Sequence, residues 1–110
     1  MKLIARFALA GLVTFVVSGA IAGNYQEVSS KNTDYRPTGA HMTLGEAVHI
    51  AEAQALKKNL RLTEYQRPRF LYYRDNHWII LYVGKIETPG NHFYVDIDDR
   101  TLRATLMPGE

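Results

Sequence analysis

The chain has 110 residues, no cysteine, and a formal charge of +2 from 13 basic and 11 acidic side chains. That length holds one domain, and the absence of thiols excludes a disulfide-stapled scaffold, an acylated lipoprotein and a cysteine nucleophile. The positive charge sits in the first few residues: setting aside Lys2 and Arg6, 13 less 2 leaves 11 basic against 11 acidic groups, a balance that supplies little of the counterion-release affinity on which nucleic-acid binding rests.

Residues 1–22 have the three parts of a secretory signal in order. Lys2 and Arg6 form a positive start, an apolar stretch follows from Phe7, and Ala20-Ile21-Ala22 offers small residues for cleavage. The apolar run of 16 residues from Phe7 to Ala22 is short of the roughly 20 that a spanning helix needs. The expectation is cleavage after Ala22, no membrane contact thereafter, and a periplasmic or secreted location in a bacterial envelope. Residues 23–40 (GNYQEVSSKNTDYRPTGA) are polar and rich in turn formers, so a flexible leader is expected, with Tyr25 and Tyr35 as its large apolar groups. Residues 41–110 are expected to form a single α+β domain.

Its ordered part begins at Thr43. Thr43-Leu44-Gly45-Glu46 is a capping box, with Met42 placed as a hydrophobic staple. Leu44, Ala47, Val48, Ala51, Ala55 and Leu56 then fall on one helical stripe. Lys57 and Lys58 suit a helix C-terminus and Asn59 can cap it in the left-handed conformation, so the spacing predicts a helix over 44–58. Beyond it the period changes to two. Residues 69–74 (RFLYYR) read as a strand ended by the turn pair Asp75-Asn76, and 77–85 (HWIILYVGK) are apolar on both faces, as a central strand is. Thr88-Pro89-Gly90-Asn91 suits a type II turn. Residues 92–98 alternate, with Phe93, Val95 and Ile97 on one side and His92, Tyr94 and Asp96 on the other. Asp98-Asp99-Arg100 turns the chain into 101–107, where Leu102, Ala104 and Leu106 face one way. The predicted fold class is therefore α+β, one N-terminal amphipathic helix packed on a four-stranded antiparallel meander sheet. The helix is expected to cover the face that carries Phe93, Val95, Ile97, Leu102, Ala104 and Leu106, and the small core to be modestly stable.

These segments together resemble two kinds of small exported or partner-neutralising domain. Glu46, Ala47, Ile50 and Ala51 match the "EAxxIA" helix of PepSY-like domains, and Phe93, Val95, Ile97, Asp98 and Thr101 match their final hairpin. Leu102 departs from that pattern, standing where PepSY sequences usually place a glycine. Pro68, Trp78, Gly90 and Phe93 are similar to the pattern of immunity proteins with a nuclear-transport-factor-like (cystatin-like) fold. The first resemblance implies binding or inhibiting a partner, often a protease; the second implies neutralising a toxin. Both imply protein binding without catalysis.

A search for reactive chemistry leads the same way. The only serines are Ser18, in the export segment, and Ser29 and Ser30, in the leader, so no rigid scaffold presents a serine nucleophile. Glu46-x-x-His49 has metal-ligand spacing, but a carboxylate-bridged site needs a second copy, and the capping box already accounts for Glu46. His41, His77 and His92 have no mutual ligand spacing. Asp96, Asp98 and Asp99 lack the ladder of a calcium loop and are expected to form a solvated hairpin turn in which Asp99 is dispensable. No catalytic, metal or cofactor residue is assigned, and the chain is not expected to be an enzyme. The feature that points to function is aromatic placement. If compact Ile79, Leu81 and Val83 face the helix, Trp78 and Tyr82 join His92 and Tyr94 on the open sheet face, where large aromatics serve as interface anchors. Asp75, Asn76, Glu87 and Asn91 in the neighbouring loops complete the expected partner-binding surface. The expected function is a non-catalytic inhibitor, immunity or regulatory module that binds another protein, whether a toxin, a protease or an envelope protein. The alternatives are a structural, self-associating periplasmic protein, including a homodimer, or a small-molecule-binding domain.

Overall fold

In the computed structural model, which describes residues 25–86 and 88–109, the helix begins where its capping box places it. The expected export segment, its expected cleavage point and Glu87 lie outside the described residues. Thr43 Oγ1 accepts the Glu46 amide at 3.2 Å and Glu46 Oε1 accepts the Thr43 amide at 2.8 Å. The helix α1 spans Leu44–Lys57. It ends in a Schellman motif: Asn59 is left-handed at φ 63°, the Leu60 amide donates to Ala55 O, and the Asn59 amide donates to Leu56 O.

Around α1 lies a five-stranded antiparallel sheet in sequence order, β1 (Gln26–Glu27), β2 (Arg69–Arg74), β3 (His77–Val83), β4 (His92–Asp98) and β5 (Ala104–Pro108). A 3-10 turn at Leu62–Glu64 links α1 to β2. The four-stranded meander is present as β2 to β5. The fifth strand comes from the segment expected to be a flexible leader, so the helix follows a strand and does not open the fold. Gln26 pairs with Phe70 and Glu27 with Arg69. Val28 is buried in the core, and its amide donates to Pro68 O. The polarity of residues 25–40 concealed this because only Val28 and Pro37 are buried there, too few apolar groups to make a period.

The turns behave as their residues require. Asp75 and Asn76 have φ 51° and 68°, the type I′ geometry that two-residue hairpins favour. Gly90 has φ 84° and the Asn91 amide donates to Thr88 O at 3.0 Å, closing the expected type II turn.

The core reverses one expectation about faces. In the β3–β4 register Trp78 lies opposite Ile97, Ile80 opposite Val95, and Tyr82 opposite Phe93, and directly opposed residues share a face. Trp78 and Tyr82 therefore point at the helix, 0% and 1% exposed. The reason is volume. The buried stripe of α1 is Leu44, Ala47, Ala51 and Ala55, three of them alanines, so the sheet has to supply the bulk that fills the space. Tyr82 stacks on Phe93 with centroids 4.8 Å apart, and Trp78 sits between Phe70 at 5.5 Å and Tyr73 at 5.2 Å. Two further residues expected in the core stand outside it: Leu56 is 61% exposed and Leu102 53%. No described helix is long and apolar enough to cross a membrane.

Candidate functional site

The open sheet face, away from α1, carries a smaller contact surface than the aromatic pattern implied. Trp78 and Tyr82 are core residues and offer nothing to a partner. The Tyr82 hydroxyl donates to Glu52 on α1 at 3.4 Å, and burial pushes its ionisation up. Tyr94 and His92 do lie on the open face, half-buried and edge to face at 5.6 Å. Beside them Ile79 and Leu81, which also face this way, are only 8% and 2% exposed. The register flanks Leu81 with Arg69 and Tyr94, and Ile79 with Tyr72 and Asp96, so the apolar centre lies between polar or aromatic neighbours. Charged groups on this face pair internally. His77 Nδ1 lies 2.6 Å from Asp96, a hydrogen bond that raises the imidazole above its ordinary value, and Arg74 stacks on the Tyr72 ring at 4.6 Å.

Two of the loop residues make hydrogen bonds within the fold. Asn76 O accepts the Asp99 amide at 2.7 Å. The Asn91 side chain donates to Ile86 O and packs so tightly on Gly84 that a Cβ there would collide with it. Asp75 is exposed at its turn.

A second region, at the N-terminus of α1, has features that the sequence reading did not assemble. Asp99, expected to be solvated, is 1% exposed. Its carboxylate accepts the amides of His41 (2.7 Å) and Met42 (3.0 Å) and the indole N–H of Trp78 (3.0 Å). The Tyr73 hydroxyl lies at 3.4 Å and the His41 imidazole Nδ1 at 3.0 Å. Burial pushes the Asp99 carboxyl up, but the bonds from Trp78, His41 and Met42 outweigh it and hold the group at about 2. A buried charge is tolerable only when it is paired and hydrogen-bonded in this way. The knot ties four pieces of chain together: the approach to α1, strands β2 and β3, and the β4–β5 turn.

The same turn holds the backbone outlier of the domain. Asp98 Oδ1 accepts the amides of Arg100 and Thr101, the Leu102 amide donates to Asp98 O at 2.8 Å, and the Asp98 amide donates to Arg103 O. To close this loop the chain turns left-handed at Leu102, φ 67°. A leucine pays about 1 kcal/mol or more for that conformation, which glycine adopts freely. The side chain gains little burial in return, staying 53% exposed. It stands at the rim of an open cleft of about 670 Å³, whose other walls are the approach to α1 (His41, Met42, Thr43), the first turns of α1 (Glu46, His49, Ile50) and Thr33.

The cleft has a definite chemical character. Helix N-termini often bind anions because their first amides lack partners, but here those amides are occupied. The Leu44 amide donates to Tyr35 O, that of Gly45 to Thr33 O, that of Glu46 to Thr43 Oγ1 and that of Ala47 to Thr43 O. Apolar wall is supplied by Met42, Ile50 and Leu102. No group of three His, Asp or Glu side chains among the described residues could hold a metal ion. The left-handed leucine had one sequence signal, its departure from the PepSY-like pattern, and the capping box had already marked Thr43 and Glu46. The burial of Asp99 had none, because its partners lie 21 to 58 positions away.

No protein-family profile matches the chain, and neither does any curated protein or solved structure.

Proposed function

We propose that this chain is an exported, non-catalytic protein-binding module of the bacterial envelope, and that its contact surface is the cleft between α1 and the β4–β5 turn. The observation that carries the reading is Leu102. It is left-handed at φ 67° and 53% exposed, so it costs folding energy and presents apolar surface to water. Strain kept at an exposed position points to a role outside folding. The Asp99 knot adds rigidity: it pins His41 and Met42 to the turn that carries Leu102, so the two sides of the cleft are held at a constant spacing. A pre-formed site loses less entropy on binding. The resemblance to PepSY-like and immunity domains favours the same class of function, with a toxin, a protease or an envelope protein as the partner.

The test is affinity capture from an envelope extract with the chain lacking residues 1–22 and with its Leu102→Gly variant. Glycine suits the backbone, so the variant should fold at least as well while recovering far less of any stoichiometric partner. Equal recovery by both would remove the cleft from consideration.

A second reading, self-association through the open sheet face, rests on Met107, which is 38% exposed beside Tyr94. Under that reading Tyr94→Ala shifts a dimer to monomer in sedimentation experiments while leaving the fold intact. A wild-type chain that is already monomeric at high concentration rules it out.

A further inference from the structure

We infer that the cleft is built to take a cationic side chain, a lysine or arginine inserted by the partner with an apolar neighbour resting on Leu102. This rests on the cleft being the binding surface, and adds what the partner must bring.

Hydrogen-bonding capacity is the first argument. Asp99 is ionised and can only accept, so the proton of the His41 imidazole must sit on Nδ1, which faces Asp99 at 3.0 Å. With its proton there, a neutral ring carries its lone pair on Nε2. The His41 side chain is 73% exposed and lines the cleft. Glu46 adds a second acceptor. Its Oε1 is held by the Thr43 amide, and Oε2 has no hydrogen bond among the described residues. The first-turn backbone amides are spoken for, which leaves the hydroxyls of Thr33 and Thr43 and the imidazole of His49 as the donors on the wall.

Charge is the second argument. Glu46 is the carboxylate in the wall, Asp99 stands directly behind His41, and no lysine or arginine lines the cleft. Arg36, next to the cleft, donates to the His41 carbonyl. A guanidinium or ammonium group suits these acceptors, while a partner carboxylate would meet the Glu46 charge and find no free first-turn amide. Charge complementarity of this kind selects partners and orients them. Met42 and Ile50 give the aliphatic stem of such a side chain apolar wall to lie on.

Glu46→Gln separates the charge from the fold, because glutamine also completes a capping box. The probes are two blocked pentapeptides, Ala-Leu-Arg-Leu-Ala and Ala-Leu-Glu-Leu-Ala, titrated into the chain lacking residues 1–22 while the His41 imidazole and Leu102 methyl signals are followed by NMR. The arginine peptide should shift both signals with a dissociation constant of about 1 mM, on the order of fivefold tighter than the glutamate peptide, the scale of a partly exposed ion pair. Glu46→Gln should erase that preference and His41→Ala should weaken the arginine peptide. Equal affinity for the two peptides, no binding of either, or a preference that survives Glu46→Gln would each overturn the inference. The Leu102→Gly chain keeps its failure distinct from that of the cleft reading. If Leu102→Gly loses both peptides equally while Glu46→Gln loses neither, the cleft binds protein and the cationic specificity is wrong.

Discussion

Two hairpin turns of this protein lie side by side and solve the same geometric problem differently. The β2–β3 turn uses Asp75 and Asn76 in left-handed conformations, residues whose short polar side chains tolerate that region. The β4–β5 turn places Leu102 there, against local preference, and beside it buries a carboxylate that five groups surround. The first turn is set by the backbone preferences of its own residues, with one backbone bond from the Asp99 amide to Asn76 O. The second is over-determined by distant contacts, which is the condition under which a strained backbone persists. Local rules are obeyed at the first turn and broken at the second, and that departure is what the proposed contact surface rests on.

The contrast is sharpened most by Asp99→Ala, which strands the amides of His41 and Met42 and the indole of Trp78. Loss of about 3 kcal/mol is expected from unpairing several buried donors, read as a lowered denaturation midpoint. A change near zero would mean that the knot is not what holds the turn. This replaces the expectation of a dispensable, solvated aspartate.

Acid should reach the same knot without mutation. The Asp99 pKa is depressed from 3.8 to about 2, so its contribution is complete above its unfolded value. It is lost as pH falls from about 4 toward 2, a change of roughly 2 kcal/mol for that shift. Denaturation midpoints measured across this window should fall in the wild type and fall less in Asp99→Asn.

Leu102→Gly reverses the usual sign and should stabilise the domain by about 1 kcal/mol, the relief of a left-handed leucine. Destabilisation would show that the leucine packs on more than the cleft rim. The smallest effect belongs to the other turn. Asn76→Gly keeps the left-handed backbone and gives up only the 3.4 Å contact with the Tyr73 hydroxyl, so its midpoint should move by under about 0.5 kcal/mol. A larger loss would make the two turns alike and remove the contrast.

Much of the fold was legible because its signals are local. The capping box at Thr43, the left-handed Asn59, the type I′ pair and the Pro89-Gly90 turn each depend on two to four neighbouring residues, and each is where its residues put it. The central position of β3 showed in its apolar run. The face assignment failed for a specific reason. Whether Trp78 or Ile79 shares a face with Phe93 depends on the parity of the β3–β4 register, and a shift of one residue reverses it. Side-chain size argued for compact residues against the helix, but the alanine stripe of α1 demands the reverse.

From its amino acids alone, then, this protein determines the ends of its helix, the order of its meander and the chemistry of its tight turns, because those are decided within a few residues by capping, periodicity and backbone preference. Tertiary structure alone decided that residues 26–27 add a fifth strand, that Trp78 and Tyr82 fill the core, and that Asp99 is a buried knot beneath a cleft edged by a strained leucine. Those outcomes depend on volumes and hydrogen-bond partners supplied by segments up to 58 positions apart, and such partners meet only when the whole chain has packed.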